Sequence, residues 1–304
     1  MNTQRTQIVV WKLIIGAVMI SFSGVWVKTA EVTPIASAFY RVFFGGLILL
    51  PAALIRKEVR WFGWPHLLLV CMCGFFFALD LALYHYSVHY VGPGLGTILP
   101  NFQVLILVSF GIVFLKEKVR PTFLAAIPLA LIGLLMIVGL DWGNLGRNYK
   151  IGLYCGIGAA FCYATFLLSL RKLQALQSGL SIFYVVLVVS FATAAFLALE
   201  ICRSGDTFVI PDLRSFAAIA SLAFFSQAVG WIIIANALPH LRASLSGFIL
   251  LLQPALAFVW DVLFFDRPTN WVNWMGVLLA LTAIYLGTAK GNRSKQQTTS
   301  RDAH

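Results

Sequence analysis

Asp80 lies inside FFFALDLALYHY (75–86), where nearly every neighbour is apolar. A charge at the centre of a hydrocarbon layer costs about 2.5–3.5 kcal/mol on insertion scales, so a carboxylate kept there needs a partner or a task. Arg41, in TPIASAFYRVFFGG, is the matching cation, and pairing would cut the burial cost of both. Tyr84 follows Asp80 by one helical turn and shares its face. Asn101 and Gln103 enter another apolar run, Gln227 and Trp231 share a face at i, i+4, and Gln253 interrupts ILLLQPALAF. Guanidinium, carboxylate, phenol, amide and indole groups are the fixings of a small amphipathic metabolite. Arg41 and Asp80 admit two readings: a static buried ion pair, or a switchable one in which a proton or a substrate carboxylate replaces one partner.

Other polar residues have plainer expectations. His85 and His89, in YHYSVHY, read as wet histidines near a helix end, Trp260 as a membrane-interface ring and Asp261 as a group meeting outer water. GPGLG (92–96) lacks the strand, helix and lysine of a phosphate loop and reads as a tight outer turn. The five cysteines include no CxxC and no metal-ligand spacing with histidine, so no metal is expected. Neither a nucleotide-binding motif nor a nucleophile elbow occurs, and no cofactor or enzymatic activity is expected.

The elements that position these groups follow from composition. The 304 residues are 60% hydrophobic and 11% charged, with a mean hydropathy of +0.89, whereas soluble domains carry about 25% charged residues. This is an integral membrane chain. The net charge of +11 resides in short clusters between oily runs, such as RKEVR (56–60) and KEKVR (116–120). Such clusters are topology signals, and no nucleic-acid partner is expected. A bilayer core of about 30 Å needs roughly 20 apolar residues per helix, which yields ten spans: 9–29, 34–55, 64–86, 94–115, 122–140, 150–170, 180–201, 215–237, 244–265 and 269–288. With both termini cytoplasmic in an inner membrane, Arg5, Lys12, Arg56, Lys57, Arg60, Lys116, Lys118, Arg120, Arg171, Lys172, Arg242, Lys290, Arg293, Lys295 and Arg301 fall inside. The outer segments keep only Lys28, Arg147, Lys150, Arg203, Arg214 and Arg267. At about 1.5 Å of rise per residue, Arg41, Asp80, Asn101 and Gln103 then lie roughly 9–14 Å below the outer surface, at one level.

The chain also repeats. LGTILPNFQVLILVSFGIVFLKEKVRP (95–121) parallels LSGFILLLQPALAFVWDVLFFDRP (245–268), and each is followed by a Gly-containing apolar run. Five spans per copy is an odd number, so the copies must be inverted relative to one another. The expected fold is all-α integral membrane, with ten transmembrane helices in two inverted five-helix repeats (9–140 and 150–288) and a polar cytoplasmic tail (289–304). Inverted repeats with a site between them are a common transporter plan.

The opening WKLIIGAVMISFSGVWVK, TPIASAFYRVFFGGLILL and the corner LKEKVRP resemble the EamA-type members of the drug/metabolite transporter superfamily over positions 9–288. The resemblance implies ten helices and solute movement without ATP. The function expected is secondary-active transport of a small metabolite by alternating access, with export of amino acids or similar zwitterions as the leading substrate class. A non-transporting sensor or assembly subunit and a membrane-embedded enzyme are the alternatives. Expected partners are a small-molecule substrate, protons as a candidate coupling ion, and the lipid bilayer; oligomeric state is left open. One departure is that Pro254 precedes the second corner where the first copy has Leu105 and an earlier Pro100, so the two copies should kink differently.

Overall fold

The computed structural model describes residues 3–57, 63–138, 147–176, 181–266 and 268–289, and these contain helices but no strand. Ten apolar helices follow one another: α1 Thr6–Thr29, α2 Pro34–Ile55, α3 Trp64–Ser87, α4 Leu99–Val113, α5 Pro121–Ile137, α6 Arg147–Ala175, α7 Ile182–Ser204, α8 Leu213–His240, α9 Ala243–Phe265 and α10 Trp271–Thr288. Eight are long enough to cross a membrane, and α4 and α5 are shorter. Hydroxyl and carboxylate caps fix where several begin. Thr33 accepts from the Ala36 amide at 3.3 Å and Ser181 from Tyr184 at 3.2 Å, so α2 and α7 start in the same way one repeat apart. Asp212 does this for α8, accepting from Ser215 at 2.6 Å.

The α3–α4 connection refines the expected outer turn. Helical backbone continues from Trp64 to Ile98, through GPGLG. Yet a side chain added at Gly156 would come within 2.8 Å of Ser87 Oγ and 2.6 Å of Leu99 Cβ. Twelve residues of straight helix would separate those two by about 18 Å. The chain therefore doubles back between them while keeping helical turns.

Packing follows the repeat. α3 lies on α6 and α7, and correspondingly α8 lies on α1 and α2; α4 touches α6 as α9 touches α1. The pairs α2–α7, α4–α9 and α5–α10 join equivalent helices. Exchanging the halves thus maps the helix neighbours onto themselves, as two inverted five-helix repeats require. The α5–α10 crossing brings backbone against backbone. A Cβ at Gly133 would stand 2.7 Å from the Gly276 oxygen, and one at Gly276 2.6 Å from the Gly133 oxygen. Two backbones meet here without side chains between them, the way small residues let membrane helices associate.

Four helices are irregular. α1 breaks at Phe22, where Ser21 and Ser23 turn their hydroxyls back onto the Val18 and Ile20 carbonyls, each at 2.6 Å. α4 opens with a 3₁₀ turn, Leu99–Phe102, containing Pro100. α8 is π-helical over Leu222–Gly230, and α9 breaks at Leu251, just before Pro254. At the offset of 150 residues between 95–121 and 245–268, Leu251 corresponds to Asn101, so the breaks in α4 and α9 coincide in place. They differ only in form, a 3₁₀ turn containing Pro100 in one copy and a single-residue break before Pro254 in the other. Interrupted membrane helices free backbone groups only where a cavity or a neighbour can satisfy them.

Candidate functional site

These irregular helices surround a cavity of about 340 Å³ between the halves. Arg41 comes from α2, Asp80 and Tyr84 from α3, Asn101 from the 3₁₀ turn of α4, Trp231 from α8 and Gln253 from α9. Asp80 retains 8% of its surface exposed. Arg41 and Asp80 feel one another electrostatically, but no ion pair or hydrogen bond joins them among the described residues. The static pair is thus not what the structure contains. Buried donors without a protein partner ring the space: Ser37 Oγ, Arg41 Nε, Trp231 Nε1 and Gln253 Nε2. Natural proteins leave few such groups unsatisfied, and four around one cavity are what a polar ligand would complete.

Aromatic packing sets the wall. The Trp231 ring meets Phe77 edge-on at 5.4 Å and Phe166 at 5.0 Å, while Phe77 and Phe166 stack at 4.4 Å. The indole is held by rings on α3 and α6, so its position depends on both halves. Tyr163 of α6 lines the same cavity as Arg41, Asp80 and Gln253. Sequence reasoning missed Tyr163, because one phenol in GAAFCYATF reads as another core aromatic. It also missed the serines Ser21, Ser23 and Ser37 along the rim.

Two of the expected residues lie elsewhere. Gln103 is wholly buried away from the cavity, and neither end of its amide has a protein partner. Gln227 sits in the π-helical stretch and donates to Ser190 Oγ at 3.0 Å. Its methylenes fill the space over Gly45, where an added Cβ would collide with them. Ser190 on α7 and Gln227 on α8 stand roughly one repeat length after Arg41 and Asp80 on α2 and α3. The second half therefore holds a neutral, hydrogen-bonded pair where the first holds two separated charges.

Three plainer expectations need correction. His85 lines the cavity, half-buried, with Nδ1 2.6 Å from the Leu81 carbonyl; it is not a wet surface histidine. The Trp260 indole donates to Ser21 Oγ at 2.8 Å and stacks on Phe22 at 4.1 Å, so it braces the break in α1 instead of marking an interface. Asp261 pairs with Lys28 of α1 in place of water alone. The side chain of His89 and the polar tail lie outside the described residues.

The lining residues of α1 to α4 belong to the halves of their helices nearer Lys28 and Asp261, while Tyr163, Trp231 and Gln253 lie near the middles of α6, α8 and α9. On the opposite, basic face the repeats are tied together by Glu117, in the α4–α5 corner. Its carboxylate accepts from the Ala243 amide at 2.8 Å, from Ser244 Oγ at 2.5 Å and from the Ser244 amide at 3.3 Å, with Arg171 Nη1 at 3.8 Å. A carboxylate on the N-terminus of α9 also meets the positive end of that helix. The corner itself turns through Lys116 at φ 50°, and its counterpart after α9 turns through Asp266 at φ 48°. Under the exchange of halves, the Arg171–Glu117 contact (α6 to the α4 corner) corresponds to Lys28–Asp261 (α1 to α9). No cluster of three or more His, Cys, Asp or Glu able to hold a metal occurs among the described residues.

Comparison with known proteins agrees with this architecture. The model of the EamA-like transporter family matches twice, over residues 7–139 and 150–288. An "Uncharacterized transporter" of Clostridium kluyveri is 23% identical over 253 residues, covering 80% of this chain and 78% of the relative. "Uncharacterized transporter YwfM" of Bacillus subtilis is 23% identical over 266 residues, covering 86% and 87%. A solved crystal structure superimposes with a TM-score of 0.78 at 17% identity, covering 96% of this chain and 99% of the other, and shows the shared fold.

Proposed function

The chain belongs to the EamA-like transporter family, and from that premise we propose that it is a secondary-active exporter of amino acids or similar zwitterions in the inner membrane. The observation that carries the substrate class is the cavity itself, which holds one cation and one anion that do not pair with each other. A zwitterion supplies both missing partners. Its carboxylate would meet Arg41 and its ammonium Asp80, each a charge-assisted hydrogen bond of about 1.5–3 kcal/mol. The amides of Asn101 and Gln253 and the phenols of Tyr84 and Tyr163 fix polar groups, and the Trp231–Phe77 wall takes an apolar side chain. A cavity of about 340 Å³ is at the small end of the range for small-molecule sites, about 300–1,000 Å³.

With the basic face in the cytoplasm, as the charge bias supports, the cavity lies toward the outside and the Glu117 clasp closes the inside. This is the outward-facing member of an alternating pair. Export would load the inward-facing state, and Asp80 would carry the substrate ammonium on the way out and a proton on the way back. The proposal is tested with purified protein in liposomes, by uptake of a labelled amino-acid panel with and without a pH gradient. Uptake driven by the gradient, lost in Asp80→Asn that still folds, supports both the substrate class and proton coupling. Uptake of no panel member refutes the substrate class, and unaltered gradient-driven uptake in Asp80→Asn refutes the coupling role.

A further inference from the structure

A second cavity, of about 350 Å³, opens at the basic face and takes no part in the central site. It lies between the start of α1, the α4–α5 corner, the α8–α9 link and the end of α10. Its polar lining is one-signed. Arg120 and Arg242 supply the cations, His240 adds an imidazole, and Thr6, Thr122 and Thr288 add hydroxyls. Among the described residues no acidic side chain lines it, and Glu117 of the adjoining corner is occupied by the α9 N-terminus through Ala243 and Ser244. Arg242 donates to the Lys118 carbonyl at 2.9 Å, which satisfies one N–H but leaves its full charge without an anion. Beneath this rim the floor is apolar, formed by Val119, Phe123, Leu241 and Leu245.

A cationic, hydroxyl-lined rim over an apolar floor, placed where helices meet the membrane surface, matches an amphiphile with an anionic head. Arginine favours phosphate in particular, because its planar fork reads two oxygens at once. α5 and α10 contribute to this cleft but not to the central cavity, so an occupant would not compete with the transported solute. We infer that the cleft bounded by Arg120, His240 and Arg242 is a binding site for a phosphate group. Its position in the cytoplasmic leaflet rests on the orientation proposed above; the binding itself does not.

The test uses the full chain, purified in a non-ionic detergent, and measures binding by native mass spectrometry and by the shift in thermal unfolding. Short-chain phosphatidylglycerol, short-chain phosphatidylcholine and inorganic phosphate are compared. Phosphatidylglycerol should bind in preference to phosphatidylcholine, and each of Arg120→Gln and Arg242→Gln should weaken it about fivefold. Lys172→Gln removes an exposed charge of the same face outside the cleft and should leave it unchanged. Inorganic phosphate that binds alone, and loses affinity in the same arginine variants, would identify the source as free phosphate instead of a lipid. Should Arg242→Gln fail to fold for want of its bond to Lys118, the Arg120→Gln and His240→Gln variants carry the comparison. Equal binding of the two lipids with no binding of phosphate, or equal losses in Lys172→Gln and the cleft variants, overturns the inference. Failure of amino-acid uptake leaves it untouched.

Discussion

Glu117→Gln is the sharpest single perturbation of the cycle. The glutamate anchors the first repeat to the first turn of α9 through three hydrogen bonds, to the Ala243 amide, the Ser244 amide and Ser244 Oγ. Glutamine keeps one carbonyl oxygen, which can serve one amide. Its NH₂ group faces a donor at the other, and only the Ser244 hydroxyl can rotate to accept from it. One bond to a charged group is thereby lost, at about 1.5–3 kcal/mol. The attraction of a full charge to the helix terminus goes with it, at about 0.3–1 kcal/mol. A net loss of about 2–3 kcal/mol moves an equilibrium between a shut and an open basic face by roughly 30- to 150-fold. Ser246, buried on α9 close to this clasp, makes a reporter. With the five native cysteines replaced by alanine, Ser246→Cys is exposed to a membrane-impermeant maleimide in inside-out vesicles. The cysteine should label slowly while the glutamate is intact and at least about tenfold faster in the Glu117→Gln background, in line with that shift. Gly111→Ala tests the same clasp from behind, because its new methyl would lie 2.6 Å from Glu117 Oε2. Labelling that is the same in all three backgrounds would refute the clasp as the element that shuts this face.

Trp260→Phe keeps a ring on Phe22 but deletes the donor to Ser21; a loss of about 0.5–1.5 kcal/mol is expected, and Ser21→Ala should add little to it in a double-mutant cycle of thermal unfolding. Gly133→Ala drives a methyl into the Gly276 carbonyl and should cost about 1–3 kcal/mol as overpacking. Because α5 does not line the central cavity, affinity for solute in the surviving folded fraction should stay constant by calorimetry. Lys28→Gln breaks the pair with Asp261, but the lysine side chain is 52% exposed, so less than about 1 kcal/mol should be lost, and maleimide labelling from the outer side should change by no more than about fivefold.

Hydropathy and charge made the ten helices legible, and the parallel between 95–121 and 245–268 made the inverted repeat so. Depth along a helix was legible too, because it needs only a count of residues, and it put Arg41, Asp80 and Asn101 at one level. Rotation about each helix was not. Gln227 has the depth for the cavity but turns to Ser190, and Gln103 turns into the protein interior. Trp260 illustrates a second limit. Its partner Ser21 stands 239 residues away, and only the break in α1 brings the hydroxyl within reach. Tyr163 was hidden for the opposite reason: its surroundings in sequence are ordinary, and Arg41, Asp80 and Gln253, which line the cavity with it, come from three other helices.

The neutral Ser190–Gln227 pair has a consequence for how such a molecule evolves. Two identical inverted halves would give an inward-facing and an outward-facing form that are mirror accounts of one structure, degenerate in free energy. Duplication alone therefore yields a carrier with no resting preference. Every later substitution confined to one half lifts that degeneracy. Separated charges in one copy against a hydrogen-bonded amide in the other, and a carboxylate clasp at one face against a solvent-exposed ion pair at the other, are such substitutions. Selection can thus adjust which way the empty molecule faces by single changes, without touching the helices that both halves share.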